Sequence, residues 1–263
     1  MFAHVNNLTL HYQCAGKDKA QPVVFINSLG SDLRIWEGVL SFLEGYHLIG
    51  YDKRGHGLSD APPAPYTLQD HASDLGALLD YLGVASAVLV GISVGGMIAL
   101  ELARSRPERV AALVLCDTGA RIGTVESWNA RIEAIRSQGL DEVALGVIER
   151  WCTPAFFQQR PAEARGYYNM LSRTPVEGYI GTCMALRDAD LRPYIPQVQQ
   201  PSLVLCGEAD ASTPPALSEE LSRALGARLE LIPEAAHLPC IEQPQQVGQR
   251  IRVFLQELGY VAL

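Results

Sequence analysis

The sequence predicts an α/β fold: a mostly parallel sheet of about eight strands covered by helices on both faces, with a helical cap inserted after the sixth strand. Three observations carry that expectation. Short apolar runs rich in branched residues, such as VVFIN at 23–27 and VAALVLC at 110–116, alternate with segments of helical periodicity. The runs are apolar at nearly every position, as strands covered on both sides must be. No hairpin signal separates the strand candidates, which leaves crossover connections and parallel pairing.

Taken in order, LTLHYQC at 8–14 alternates like a half-exposed strand and suits an antiparallel edge. Residues 23–27 form a buried strand, and Leu33, Trp36, Val39, Leu40 and Leu43 follow at helical spacing. The next strand is HLIGY at 47–51, opening into Asp52-Lys53-Arg54-Gly55-His56-Gly57. Thr67 caps a helix whose apolar face holds Leu68, Ala72, Leu75, Leu78, Leu79 and Leu82. Strands at 87–91 and 110–116 flank a further helix. From 121 to 193 strand-like runs vanish, and four helical segments appear around 128–135, 141–151, 161–171 and 176–187. Strand periodicity resumes at 202–206 and 229–232, with a helix between them capped by Thr213 and a closing helix from Pro244. The expected division is a core of residues 1–120 and 194–263 and a cap of residues 121–193.

Composition narrows the possible functions. A net charge of −8 argues against a nucleic-acid partner and gives no global attraction for an acidic ligand, so an anionic substrate must meet local cations. No apolar run approaches the length of a membrane span and the N-terminus lacks signal-peptide blocks, which points to a cytoplasmic protein with no membrane partner. The six cysteines stand singly, without a C-x-x-C pair or a histidine at ligand spacing, and read as free thiols with no metal site.

The organising stretch is AVLVGISVGG at 87–96. A strand runs without a polar loop into a helix, and Ser93 sits at the turn as Gly91-Ile92-Ser93-Val94-Gly95, the G-x-S-x-G pattern of a nucleophile elbow. Glycines on both sides let strand and helix pass close to the serine. A phosphate-binding βα turn would use similar glycines, so the chemistry rests on partners elsewhere. His237 is the one histidine C-terminal to Ser93, and it lies just past the last strand. Asp210 follows the preceding strand and is the expected orienting acid; Asp117, after the strand at 110–116, is its rival. For a developing oxyanion, the Val94 N–H at the helix start pairs by topology with the Leu29 N–H after the strand at 23–27.

FINSLGSDLRIW, YDKRGHGLSD, GISVGGMIAL, CMALRDADLR, CGEADASTP and AAHLPCIEQP together resemble the α/β-hydrolases over nearly the whole chain, and within them the 3-oxoadipate enol-lactonases. RGHG and G-x-S-x-G belong to the superfamily at large. Asn27-Ser28-Leu29-Gly30, Asp32, Trp36 and Arg187-Asp188-Ala189-Asp190 narrow the resemblance. It implies cofactor-free hydrolysis of a small enol-lactone bearing a carboxylate arm, in the β-ketoadipate pathway, with Ser93, Asp210 and His237 as triad. Arg34, Arg131 and Arg187 are the candidate cations for that arm, and Trp128, Trp151 and Cys183 the candidate cap residues around the substrate. His56 reads as loop support. A carboxylesterase, a carbon–carbon hydrolase, or a receptor that kept the fold without turnover are the competing readings.

Overall fold

The computed structural model describes residues 1–16, 20–260 and 262. Its eight strands are β1 (Phe2–Val5), β2 (Leu8–Gly16), β3 (Pro22–Ile26), β4 (His47–Tyr51), β5 (Ala87–Ile92), β6 (Val110–Cys116), β7 (Ser202–Gly207) and β8 (Arg228–Ile232). They form one sheet in the order β1-β2-β4-β3-β5-β6-β7-β8. Pairing is antiparallel for β1 with β2 and β2 with β4, and parallel from β4 onward. Every residue of β5 is buried, because helices cover both faces of the central strands.

The helices are α1 (Glu37–Leu40), α2 (Leu68–Tyr81), α3 (Val94–Ser105), α4 (Val125–Gln138), α5 (Leu140–Trp151), α6 (Pro154–Gln159), α7 (Pro161–Ser172), α8 (Val176–Asp188), α9 (Pro215–Leu225), α10 (Pro239–Glu242) and α11 (Pro244–Glu257). Thr67 caps α2 as expected, in a reciprocal box with Asp70. The insert α4 to α8 lies between β6 and β7, where strand periodicity lapses. Among the described residues no helix is long and apolar enough to cross a membrane.

Four local expectations are corrected. A hairpin does exist: β1 and β2 are joined by Asn6 and Asn7 at φ 49° and 59°, the left-handed pair that a tight hairpin turn requires and that asparagine tolerates. The helix expected across residues 33–43 breaks into a 3-10 turn, α1 and a second 3-10 turn, while Leu33, Trp36, Val39 and Leu43 stay buried. The insert has five helices; Cys152-Thr153-Pro154 is not a simple break, because Thr153 caps α6 and Pro154 occupies its first turn. Thr213 does not cap α9, which follows Pro214, and its hydroxyl is used elsewhere.

Candidate active site

The sharp turn between β5 and α3 puts Ser93 at φ 57°, ψ −124°, a backbone state that costs on the order of 1–3 kcal/mol in a residue with a side chain. Neighbouring bonds hold it there. Its N–H donates to the Cys116 carbonyl at 3.0 Å, and the Thr118 hydroxyl donates to its carbonyl at 2.6 Å. A Cβ at Gly91 would lie 2.3 Å from the Gly95 carbonyl oxygen, and one at Gly95 2.2 Å from that of Ile26. Only glycine fits at either position. The Ser93 hydroxyl has no hydrogen-bond partner among the described residues and opens into a cavity that His237 also lines.

His237 follows β8, and its Nδ1 lies 2.9 Å from Asp210 Oδ2, leaving Nε2 for the cavity side. Asp210 is anchored in turn: its Oδ1 accepts from the Ser212 N–H at 2.7 Å and the Thr213 N–H at 3.0 Å, and the Thr213 hydroxyl reaches Oδ2. Burial by itself would raise the Asp210 carboxyl; His237 and the Thr213 bonds outweigh it and hold the group below the ordinary aspartate value. Asp117 comes close, at a left-handed φ of 45° after β6, but its Oδ1 accepts the Gly207 N–H at 2.8 Å and its Oδ2 is buried without a partner. The imidazole therefore takes Asp210.

Leu29 and Val94 both border this end of the sheet, and among the described residues neither backbone N–H has an acceptor. Next to Leu29, the Gly30 N–H donates to His56 Nε2 at 2.9 Å, while His56 Nδ1 lies 3.1 Å from the Arg54 carbonyl. Burial and the charge of Lys53 push the His56 pKa well below its ordinary value, so the ring stays neutral and serves as a strut under the loop.

The cavity that Ser93 and His237 share measures about 160 Å³, small beside the ~300–1,000 Å³ of pockets for drug-sized ligands. Trp128, Trp151 and Arg131 line it, as expected of cap residues. Arg34, Arg187 and Cys183 do not: Arg34 pairs with Asp32 at 2.6 Å beside a different cavity, and Arg187 pairs with Asp188 at 2.7 Å. The Cys183 side chain is fully buried, and desolvation pushes its thiol up to about 12. A larger cavity of about 540 Å³ lies between Arg34 and α7, but it holds neither the serine nor the imidazole.

Residues 23–250 match the alpha/beta hydrolase family. The chain is an α/β-hydrolase. It is 34% identical to "3-oxoadipate enol-lactonase 2" of Acinetobacter baylyi, the alignment covering 96% of this chain and 95% of the relative. The enol-lactonase structure from Burkholderia xenovorans superposes with a TM-score of 0.94 at 35% identity, over 97% of this chain and 100% of the other. A thermophilic esterase from Thermogutta terrifontis, solved with malate bound, superposes with a TM-score of 0.92 at 29% identity, over 99% of each chain.

Arg150 of this α/β-hydrolase, at the last turn of α5 and not among the sequence candidates, lines the cavity together with Arg131. Neither guanidinium has a carboxylate partner among the described residues. Arg131 instead stacks 5.4 Å over the Trp128 ring and lies 3.4 Å from the Tyr179 hydroxyl. Burial and the like charge of Arg131 hold the Arg150 guanidinium below its ordinary value. Arginine at a helix end reads as a solvated, dipole-matching residue, so the sequence held no signal for it. The arrangement as a whole can take a proton from an alcohol, stabilise an oxyanion and hold an anion in the same cavity.

Proposed function

We propose that this α/β-hydrolase opens 3-oxoadipate enol-lactone to 3-oxoadipate through an acyl-enzyme. Ser93 Oγ attacks the lactone carbonyl as His237 Nε2 takes its proton, with Asp210 orienting the ring and stabilising the imidazolium. The N–H groups of Leu29 and Val94 receive the oxyanion. Collapse breaks the ring C–O bond, and the enol leaving group takes the proton from His237 and tautomerises to the ketone. Water, deprotonated by His237, then adds to the ester carbon; the Ser93 oxygen leaves with that proton and the second carboxylate is released. The sequence of steps uses substrate, water, three side chains and two backbone N–H groups. Residues 121–193 act as a cap that closes the cavity over the ring.

The observation that carries this reading is the convergence on one small cavity of the Ser93 hydroxyl, the His237 imidazole and two guanidiniums that have no carboxylate partner among the described residues. A hydrolase of neutral esters has no use for Arg131 and Arg150. A substrate with a carboxylate arm does, and the relatives named as enol-lactonases supply the ring chemistry. The malate-bound esterase supports a second reading, an open-chain ester of a dicarboxylic acid. Steady-state assays of the purified protein on the enol-lactone, an open-chain acidic ester and a neutral aryl ester separate them, with Ser93→Ala as control. The expected result is highest kcat/KM on the lactone and none with Ser93→Ala at unchanged melting temperature. Preference for the neutral ester would overturn the proposal.

A further inference from the structure

We infer that Lys53 is a positioning residue for the oxyanion site, acting through the peptide that joins Ser28 to Leu29. The inference rests on the reading of the Leu29 N–H as an oxyanion donor and goes beyond it.

Lys53 follows β4 and is 1% exposed, so its ammonium is lodged in the interior. It has three protons to place and finds three acceptors, all on the loop that carries Leu29: the Ser28 carbonyl at 2.6 Å, Asn27 Oδ1 at 3.3 Å and the Ser31 carbonyl at 3.4 Å. Among the described residues no carboxylate takes it directly. Of the nearby acids, Asp52 is engaged by the N–H groups of Leu33 and Leu58 and by His11 Nδ1, and Asp32 by Arg34. His56 and His71 are also close enough to feel the ammonium, both pushed well below their ordinary values by burial and by the charge of Lys53 itself. The lysine is therefore a buried cation bonded to this loop, and its shortest bond goes to a single carbonyl.

That carbonyl also accepts from the Ser31 hydroxyl at 3.0 Å and the Ser31 N–H at 3.3 Å. In a planar trans peptide the N–H points opposite the C=O, so three donors on the Ser28 oxygen aim the Leu29 N–H away from them, and Leu29 lines the cavity. An ammonium on the carbonyl also draws charge along the amide and makes the N–H a stronger donor, as chained hydrogen bonds polarise one another. Loss of the ammonium proton weakens both effects. Burial pulls the Lys53 pKa down to about 7 against the opposing pull of Asp52 and Asp32, which brings this proton into the working range.

Two consequences run in opposite directions. Acylation needs the protonated lysine, so its rate falls as pH rises through the folded-state pKa. Stability does the reverse. The folded-state pKa lies below the unfolded one, the unfolded chain binds more protons in that window, and this group makes folding more favourable as pH rises from about 7 toward the ordinary lysine value. A lysine that merely filled space would share the stability dependence, since that follows from the lowered pKa alone, so the rate dependence is the one that marks a positioning role.

The test is single-turnover acylation by a neutral aryl acetate from pH 6 to 10, with melting curves on the same samples, for the full-length wild type, Lys53→Met and Ser93→Ala. The expected result is an alkaline limb in the wild-type rate accompanied by rising stability. In Lys53→Met the rate should be about ten-fold lower at pH 6.5 with aryl acetate binding unchanged, and both pH dependences should be lost, weakening one donor being milder than the 10²–10³-fold cost of deleting one. A Lys53→Met rate and limb equal to wild type would overturn the inference. Should Lys53→Met not fold, a nitrogen-15 NMR titration of the lysines in the wild type decides: one ammonium titrating together with the rate supports the assignment, and none below pH 9 overturns it. Acylation surviving in Ser93→Ala would instead bring down the underlying hydrolase reading.

Discussion

Asp117 and Asp210 lie side by side next to His237, and their pKa values are driven in opposite directions. One carboxyl oxygen of each acid and one imidazole nitrogen fall within 4.8 Å of one another, and both acids are buried. Asp210 gathers two backbone N–H groups, the Thr213 hydroxyl and the imidazole, which hold it ionised. Asp117 has one N–H for two oxygens. Desolvation, and after it the charge of Asp210, raise its pKa well above the ordinary value, so of the two acids it is the one that holds a proton more readily.

Exchanging each acid for its amide should therefore separate them. Asp210→Asn would present an amide where His237 Nδ1–H needs an acceptor and lower kcat by several orders of magnitude, as loss of the orienting acid does in serine hydrolases of this design. Asp117→Asn keeps an oxygen for the Gly207 N–H, suits the left-handed backbone, and should retain kcat within about ten-fold. Steady-state kinetics on the enol-lactone or an aryl ester checks both. Equal losses in the two variants would mean that the imidazole can switch acids.

Asp117 also predicts a pH dependence of stability. Its folded-state pKa lies above the unfolded one, so its contribution is most favourable below the unfolded value, near pH 4, and is lost progressively as pH rises through the folded value. Asp117→Asn carries no such titration. The melting temperature of the variant relative to wild type should climb from pH 4 upward and exceed it at neutral pH. A difference independent of pH would show that Asp117 is ionised throughout.

For the arginines the expected signature is selectivity. Arg150→Gln and Arg131→Gln should each raise KM for an acidic lactone or ester about ten-fold, the scale of one charge-assisted hydrogen bond, while leaving kcat/KM for a neutral aryl acetate near that of the parent. Arg34→Gln and Arg187→Gln should change neither, since those guanidiniums are spent on Asp32 and Asp188. A loss on neutral esters equal to that on acidic ones would assign Arg131 and Arg150 to cap structure.

Which features were legible in the sequence follows from the range over which each is determined. The elbow is a local steric problem, and the glycines at 91 and 95 declare it; the central strands declare themselves by unbroken apolar runs. His237 and Asp210 are legible as a pair because the fold fixes their place at strand ends, and the structure brings them to 2.9 Å. Thr213 was misread because a threonine before prolines looks like a helix cap, and only the meeting of the loops after β6, β7 and β8 turns its hydroxyl toward Asp210 and Asp117. Lys53 and Arg150 gave no signal at all. A lysine reads as solvent-facing until the chain closes over it, and an arginine at the end of a helix reads as a dipole partner.

The joint between the insert and the His237 loop gives the last prediction. Glu242 Oε1 accepts the Thr153 N–H at 2.8 Å and the Thr153 hydroxyl at 2.7 Å, its Oε2 accepts the Ala236 N–H at 2.7 Å, and the Leu238 N–H donates to the Trp151 carbonyl at 2.9 Å. One carboxylate on α10 thus clamps both the end of α5, which brings Trp151 and Arg150 to the cavity, and the residue before His237. Glu242→Ala leaves three donors without it and should cost about 2–4 kcal/mol of stability. Because the base and the cap wall share the clamp, kcat should fall and KM rise together, whereas the arginine variants change KM alone. Glu242→Gln keeps an acceptor on one side and should fall between. Melting curves with steady-state kinetics read both effects, and a Glu242→Ala enzyme that lost stability with unchanged kcat and KM would show that the joint holds the fold without positioning the site.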